Sequence, residues 1–271
     1  MPLRHTSLRM TDHRPYPVPA RPWAVAMTWR DLGFLHWPVD VDAMRRALPG
    51  GFEPDLFDGQ AWLGIVPFVM DNVRPRFLPA VPRGCGRVSL SRFPELNVRT
   101  YVTCGGEPGV LFFSLDAASP GFVRLGRWRG IGPLHGFGLP YFRAKMNVEV
   151  EADSDGWTHY TSERTHADAP AAEFAARYRA LPGSVPTPAT PGTFDHFLTE
   201  RYRLYSVDRN GRPLVGEVHH AAWPLQQAEC EIEVCEMTGG TGLALPEVAP
   251  IAHYAKRIDV VGWRPIPVRG S

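Results

Sequence analysis

The sequence predicts a mainly β fold of the α+β kind: a closed or nearly closed antiparallel β-barrel with a few peripheral helices. Three observations carry this expectation. Short segments that alternate apolar and polar side chains recur along most of the chain and end at Gly, Pro, Asn or Asp. Two connections read as tight hairpins, around Asp153–Gly156 and Asp208–Gly211. Only three segments have helical character, and no linker is long enough to separate two domains.

Residues 1–22 are rich in Pro, Arg and His and poor in apolar side chains, so they are expected to be a flexible tail, with a single domain running from 23 to 271. Asp40 is placed to cap a short helix, VDAMRRALP, which Pro49, Gly50 and Gly51 stop. His36 and Trp37 are expected to open the loop before it, in a packing role. QAWLGIVPFVM (60–70) reads as a strand, and the proline-rich 74–84 as a loop, because proline removes the donors that a central strand needs. FPELNVRTYV and VLFFSLDA (110–117) form the next hairpin, joined by CGGEPG. The segments 139–152 and 156–166 form another. APAAEFAARYRAL reads as a helix and SVPTPATPG as an internal linker. TFDHFLTERY (193–202) reads as a helix capped by Thr193. RLYSV and LVGEVHHAAW flank the Asn-Gly turn, and AECEIEV and RIDVVGW are late strands.

Composition narrows the function. With 271 residues, 44% of them hydrophobic, the chain can bury a large core. Its net charge of +1 and the lack of a basic stripe interleaved with aromatics argue against nucleic-acid binding. No apolar run approaches the ~20 residues of a membrane span, and the N-terminus lacks a signal-peptide core. Cys85, Cys104, Cys230 and Cys235 have neither redox nor zinc-knuckle spacing, and free thiols fit a cytoplasmic location. No cofactor motif is recognisable. Ser114-Leu115-Asp116 lacks the nucleophile elbow, HHAAW lacks the zinc-binding spacing, and GGTG and GPLHGFG lack the strand–turn–helix setting of a phosphate loop.

The hairpin at 93–117 carries the chemistry. Alternation puts Glu95, Asn97, Arg99 and Tyr101 on one side and Leu96, Val98, Thr100 and Val102 on the other. If Cys104 faces Gly109, then Tyr101 faces Phe112, Arg99 faces Ser114 and Asn97 faces Asp116. That polar row either meets solvent or lines a pocket. In a pocket, Glu95 and Asp116 outnumber Arg99, so either a second cation approaches or one carboxyl holds its proton. Arg201 is a candidate for that cation, the alternative being a solvated cation at a helix C-terminus. His220 shares a face with Leu214, Gly216 and Val218, and is expected to be buried either as a core residue or in the pocket.

FLHWPVD, LFDGQAWLGIVPFVM, FPELNVRTYV, FSLDA, LPYFRAKM, FLTERYRLYS and HHAAWPLQQA, in this order over about residues 25–265, resemble the YqjF-like family of uncharacterised proteins. That family belongs to the acetoacetate decarboxylase-like superfamily. The resemblance implies a barrel or cone with an internal cavity, and often a homo-oligomer. It favours the pocket reading of Glu95. The superfamily's decarboxylases use a Schiff-base lysine beside a second lysine. Here Tyr141 and Phe142, after Gly138-Leu139-Pro140, stand at those positions, and neither can form an imine. Lys145 lies on the Tyr141 side but about 13 Å further along a strand. The expectation is therefore a lysine-independent enzyme of lyase, isomerase or cyclase type acting on a keto, enone or carboxylate-bearing small molecule. Glu95 would be the acid/base, Arg99 would bind a carboxylate or enolate oxygen and Tyr141 would be a proton donor, with Asn97, Tyr101, Ser114, Asp116, Arg201 and His220 around the substrate. A binding protein that kept the cavity without catalysis is the alternative, and a purely structural subunit the third.

Overall fold

The computed structural model describes residues 5–80, 90–127, 139–151, 156–208 and 210–268. Cys85, the end of the expected 74–84 loop, the GPLHGFG stretch with Gly138, and turn residues 153–155 lie outside the described residues. In chain order the elements are β1 (Val25–Val39), α1 (Val41–Ala47), β2 (Glu53–Pro54), β3 (Ala61–Pro75), β4 (Phe93–Cys104), β5 (Glu107–Ala117) and α2 (Pro120–Arg127). Then follow β6 (Tyr141–Val150), β7 (Thr158–Arg164), β8 (Glu173–Ala180), α3 (Phe194–Thr199), β9 (Arg203–Val207), β10 (Pro213–His219), β11 (Gln226–Cys235), β12 (Ile251–Gly262) and β13 (Ile266–Pro267).

The strands close into a nine-stranded barrel in the order β4–β5–β6–β7–β8–β11–β12–β1–β3 and back to β4. The pairs are antiparallel except where β5 meets β6 and β9. Two strands divide their length between partners. The start of β5 pairs with β9 at Val110 and Leu111, and its end with β6 at Leu115–Ala117. In the same way β12 pairs with β11 at His253 and Tyr254, and with β10 at Val261 and Gly262. The hairpin β9–β10 therefore closes a second, smaller ring over the other face of the shared sheet β12–β1–β3–β4–β5.

Both faces of that sheet are buried, and alternation sends neighbouring residues to different cores. Leu96 and Val98 of β4 pack with Leu35, Leu63, Ile65, Tyr160, Phe174 and Tyr178, which fill the nine-stranded ring. Phe34, Phe68 and Leu115 face the other way, with Tyr141, Val218 and Trp223. The first core is filled by side chains, and the second encloses the cavity described below.

The caps behave as expected. Asp40 accepts from the backbone N–H of Ala43 at 2.7 Å, and Thr193 accepts from that of His196 at 3.4 Å. Helix α2 was not anticipated by the sequence pattern. Three further expectations are corrected. The segment containing EFAARYRA is strand β8, paired on both edges, with Phe174, Ala176 and Tyr178 turned into the barrel. Its period of two, with a partner strand on each side, outweighs the helix propensity of its alanines. His36 and Trp37 lie within β1 rather than at a loop. Residues from His5 onward do not hang free. Arg14 is 8% exposed and donates to the carbonyl of Val218 at 2.7 Å, while Trp23 packs with Val261 and Trp263. A buried arginine with cation–π contacts to Tyr16 and Tyr202 anchors a segment whose composition alone reads as disordered.

Candidate active site

The register of β4 against β5 fixes which side chains can meet. Cys104 faces Glu107, Tyr101 faces Val110 and Arg99 faces Phe112, so the turn is tighter than the expected Cys104–Gly109 closure. A bulge then falls opposite the step from Val98 to Arg99. Beyond it Val98 faces Ser114 and Leu96 faces Asp116. The extra residue on β5 reverses the faces of everything after it. Leu115 joins the cavity wall, and Ser114 and Asp116 turn toward the nine-stranded core. The expectation that Ser114 and Asp116 share the Glu95 row is thereby corrected.

The cavity has a volume of about 100 Å³ and lies in the smaller ring, with mostly apolar walls that include Phe34, Phe68, Phe112 and Trp223. Glu95, Asn97, Arg99, Tyr141, Arg201 and His220 also line it. Glu95 is 2% exposed, and Tyr141 donates to its Oε2 at 3.3 Å. Burial raises the Glu95 carboxyl from 4.5 to about 8; the Tyr141 hydrogen bond works against that rise, and the Asp116 charge adds to it. At neutral pH this is a neutral acid. Burial and then the neighbouring Glu95 also hold the Tyr141 phenol far above its usual range. Tyr141 is placed by α2, whose Gly126 lies so close that an added Cβ would stand 2.5 Å from the ring. Phe122 of the same helix meets that ring edge-on at 5.4 Å.

At the other end of the row, Arg99 Nη2 donates to the Leu198 carbonyl at 3.3 Å, and the guanidinium carbon lies 5.5 Å from the Phe34 ring centre. Arg99 Nε has no acceptor and the side chain has no acidic partner among the described residues. Between them, Asn97 is 8% exposed and its Oδ1 also lacks a partner there. Tyr101 sits behind the wall rather than on it. Its hydroxyl donates to Leu198 O at 2.6 Å and contacts His36 Nε2 at 2.7 Å. Arg201 reaches the cavity but is held by Asp55 at 2.6 Å and by the carbonyl of Phe197 at 2.7 Å, so it does not balance Glu95. His220 is buried, donates Nδ1–H to Ala221 O at 2.7 Å and is kept neutral by burial, its basicity lowered to about 3.

The second cation that the charge count called for is Arg164 of β7, which sequence reasoning missed. It pairs with Asp116 at 3.0 Å, both side chains almost wholly buried. Burial raises the Asp116 carboxyl to about 6 against the pull of Arg164. Thr158, Tyr160, Ser162 and Arg164 share one face of β7, and that alternation was the available signal. Both alternatives for charge balance are thus realised, on opposite faces of one sheet: the Asp116 side gains a cation, and the Glu95 side keeps a proton. Lys145 is exposed on β6 and does not reach back to the cavity. Trp29 and Trp223, which the sequence did not single out, also line the cavity. No helix of the described residues is long and apolar enough to cross a membrane.

Comparison with known proteins agrees with this architecture. Residues 26–259 match the DUF2071 family, described as an uncharacterized conserved protein. Uncharacterized protein YqjF of Bacillus subtilis (strain 168) is 44% identical over 246 residues, covering 91% of this chain and 93% of that one. Among solved structures, the enduracididine biosynthesis enzyme MppR complexed with pyruvate matches with a TM-score of 0.56 and 13% identity, covering 91% of each chain. An acetoacetate decarboxylase matches with a TM-score of 0.56 and 12% identity, covering 92% of this chain and 90% of that one. At such identities the likeness shows the fold: acetoacetate decarboxylase-like.

Proposed function

Because this chain belongs to the DUF2071 family of uncharacterized conserved proteins and has an acetoacetate decarboxylase-like fold, we propose that its cavity binds a small keto, enone or related carboxylate and performs acid–base chemistry on it without a Schiff-base lysine. One observation carries the reading. A buried carboxyl, held protonated at neutral pH and hydrogen-bonded to Tyr141, shares an apolar cavity with Arg99, a cation lacking a counter-ion among the described residues. Arg99 offers a planar fork suited to a carboxylate. Glu95 then stands as the acid that protonates a carbonyl or enolate oxygen, and returns as the base. Tyr141 donates to Glu95 and stabilises the carboxylate that forms when the proton leaves. Lyase, isomerase and cyclase reactions that pass through an enol or enolate use this pair of steps. The pyruvate bound by the neighbour MppR supports a small oxo acid as ligand.

A second reading is supported by the lack, among the described cavity residues, of an amine or thiol nucleophile: a non-catalytic binding protein for the same class of ligand. Glu95→Gln and Arg99→Met, assayed on a panel of keto and enone monocarboxylates, separate the two. Turnover by the wild-type protein that both substitutions abolish is expected for the enzyme. Turnover unchanged in both variants would refute the mechanism. Native mass spectra showing an unmodified bound acid, with no turnover on incubation, favour the binding protein.

A further inference from the structure

We propose that the indole N–H groups of Trp29 and Trp223 form a second oxygen-binding pole of the cavity, so that its ligand is two-ended, with a carboxylate at Arg99 and a carbonyl or hydroxyl oxygen at the tryptophans. The inference rests on the cavity reading above and specifies the ligand that reading leaves general.

Trp29 belongs to β1, and Trp223 lies in the segment after β10. Their rings are near-parallel, 16° apart in plane with centres 5.8 Å apart. Both line the cavity. Both Nε1 atoms are buried and have no acceptor among the described residues. A buried donor without an acceptor is unfavourable, and an indole nitrogen has no alternative role as acceptor. Two indoles elsewhere in the described residues are satisfied. Trp37 donates to Val248 O at 3.1 Å and Trp263 to Arg21 O at 2.7 Å. Trp23 and Trp62 also lack acceptors, but neither belongs to the cavity wall.

The unpartnered atoms of the wall are unequal in kind. Trp29 Nε1, Trp223 Nε1 and Arg99 Nε are donors, and only Asn97 Oδ1 is an acceptor. Such a wall favours a ligand rich in acceptor oxygens. Among the described wall residues Arg99 is the cation without an acidic partner, so one of those oxygens belongs to a carboxylate and the others are neutral. The two poles are joined through one ring. Phe34 lies 4.9 Å from Trp223, centre to centre, and 5.5 Å from the Arg99 guanidinium carbon. A short carbon spacer covers that gap. The tryptophan pole is also the Glu95 end. Trp29 packs edge-on against Phe68 at 5.8 Å, and Phe68 is the backbone partner of Glu95. An oxygen held by the indoles is therefore polarised beside the residue placed to protonate it.

The test uses the full-length protein with 4-oxopentanoate, pentanoate and 2-pentanone. Binding is measured by calorimetry and by the ¹⁵N-indole resonances of Trp29 and Trp223. The oxo acid is expected to bind at least about tenfold more tightly than pentanoate and to shift both indole N–H signals, which pentanoate leaves in place. The Trp29→Phe, Trp223→Phe double variant is expected to lose that advantage, binding the two acids alike, while Arg99→Met loses both acids. Equal affinity of the two acids for wild-type protein, or an advantage that survives in the double variant, would overturn the proposal. The wild-type comparison decides the matter even if the double variant does not fold. Tight, indole-dependent binding without turnover of any oxo acid supports this pole and counts against Glu95 catalysis. Glu95-dependent turnover with equal affinities does the reverse. Failure of either acid to bind at millimolar concentration sinks both.

Discussion

Replacing Glu95 by Gln should make the protein more stable, and by an amount that grows with pH. The carboxyl ordinarily titrates at 4.5 and in the folded protein at about 8. Below pH 4.5 both folded and unfolded chains hold the proton, and the group contributes nothing to pH dependence. From there to about pH 8 the unfolded chain releases its proton and the folded one keeps it. The folded state then binds more protons, so stability falls as pH rises. Each unit costs about 1.4 kcal/mol, which gives a penalty of about 3 kcal/mol at pH 7 and about 5 kcal/mol above pH 8, where it levels off. Gln is isosteric, can still accept from Tyr141, and does not ionise. Denaturant unfolding of both proteins from pH 4 to pH 9 isolates this effect, because every other titrating group is common to the pair. The two stability curves should meet near pH 4.5 and diverge upward. Parallel curves would mean that Glu95 ionises freely in the folded state, which removes the basis for its acid role.

Three further outcomes follow from the same geometry. Arg164→Met leaves Asp116 buried beside no cation and should cost about 3–5 kcal/mol in denaturant unfolding; adding Asp116→Asn should recover most of it, and an additive double variant would contradict the pairing. Gly126→Ala gains about 1 kcal/mol of helix propensity but drives a methyl to within 2.5 Å of the Tyr141 ring, so a net loss of about 1–3 kcal/mol is expected, and a net gain would show that α2 does not clamp Tyr141. Arg14→Ala should raise amide exchange across residues 6–22 at least about tenfold while the barrel strands keep their protection; unchanged exchange would show that the segment is held by its apolar contacts alone.

Much of the architecture was legible because strands with a buried face declare themselves by alternation. Glu95 and Arg99 were placed on one face, away from Leu96 and Val98, from that signal alone. It failed where one residue changes parity. The bulge in β5 has no Gly or Pro to mark it, so Ser114 and Asp116 were assigned to the wrong side while Phe112, before it, was assigned correctly. In EFAARYRA the alternation Phe174, Ala176, Tyr178 was present but was outvoted by alanine content. Arg14 shows a different gap. Its burial depends on Val218 and Tyr202, some two hundred residues away, and nothing local to a Pro- and Arg-rich segment records that. Trp29 and Trp223 were invisible as a pair for the same reason.

The shared sheet separates two duties, cohesion and enclosure, between its two faces. One ring is solid and supplies cohesion; the other is hollow and can be altered. Because successive residues of β4 belong to different rings, positions 95, 97 and 99 can exchange one chemistry for another while Leu96 and Val98 keep the strand seated. Substitution at the cavity-facing positions therefore leaves the packing of the solid ring untouched.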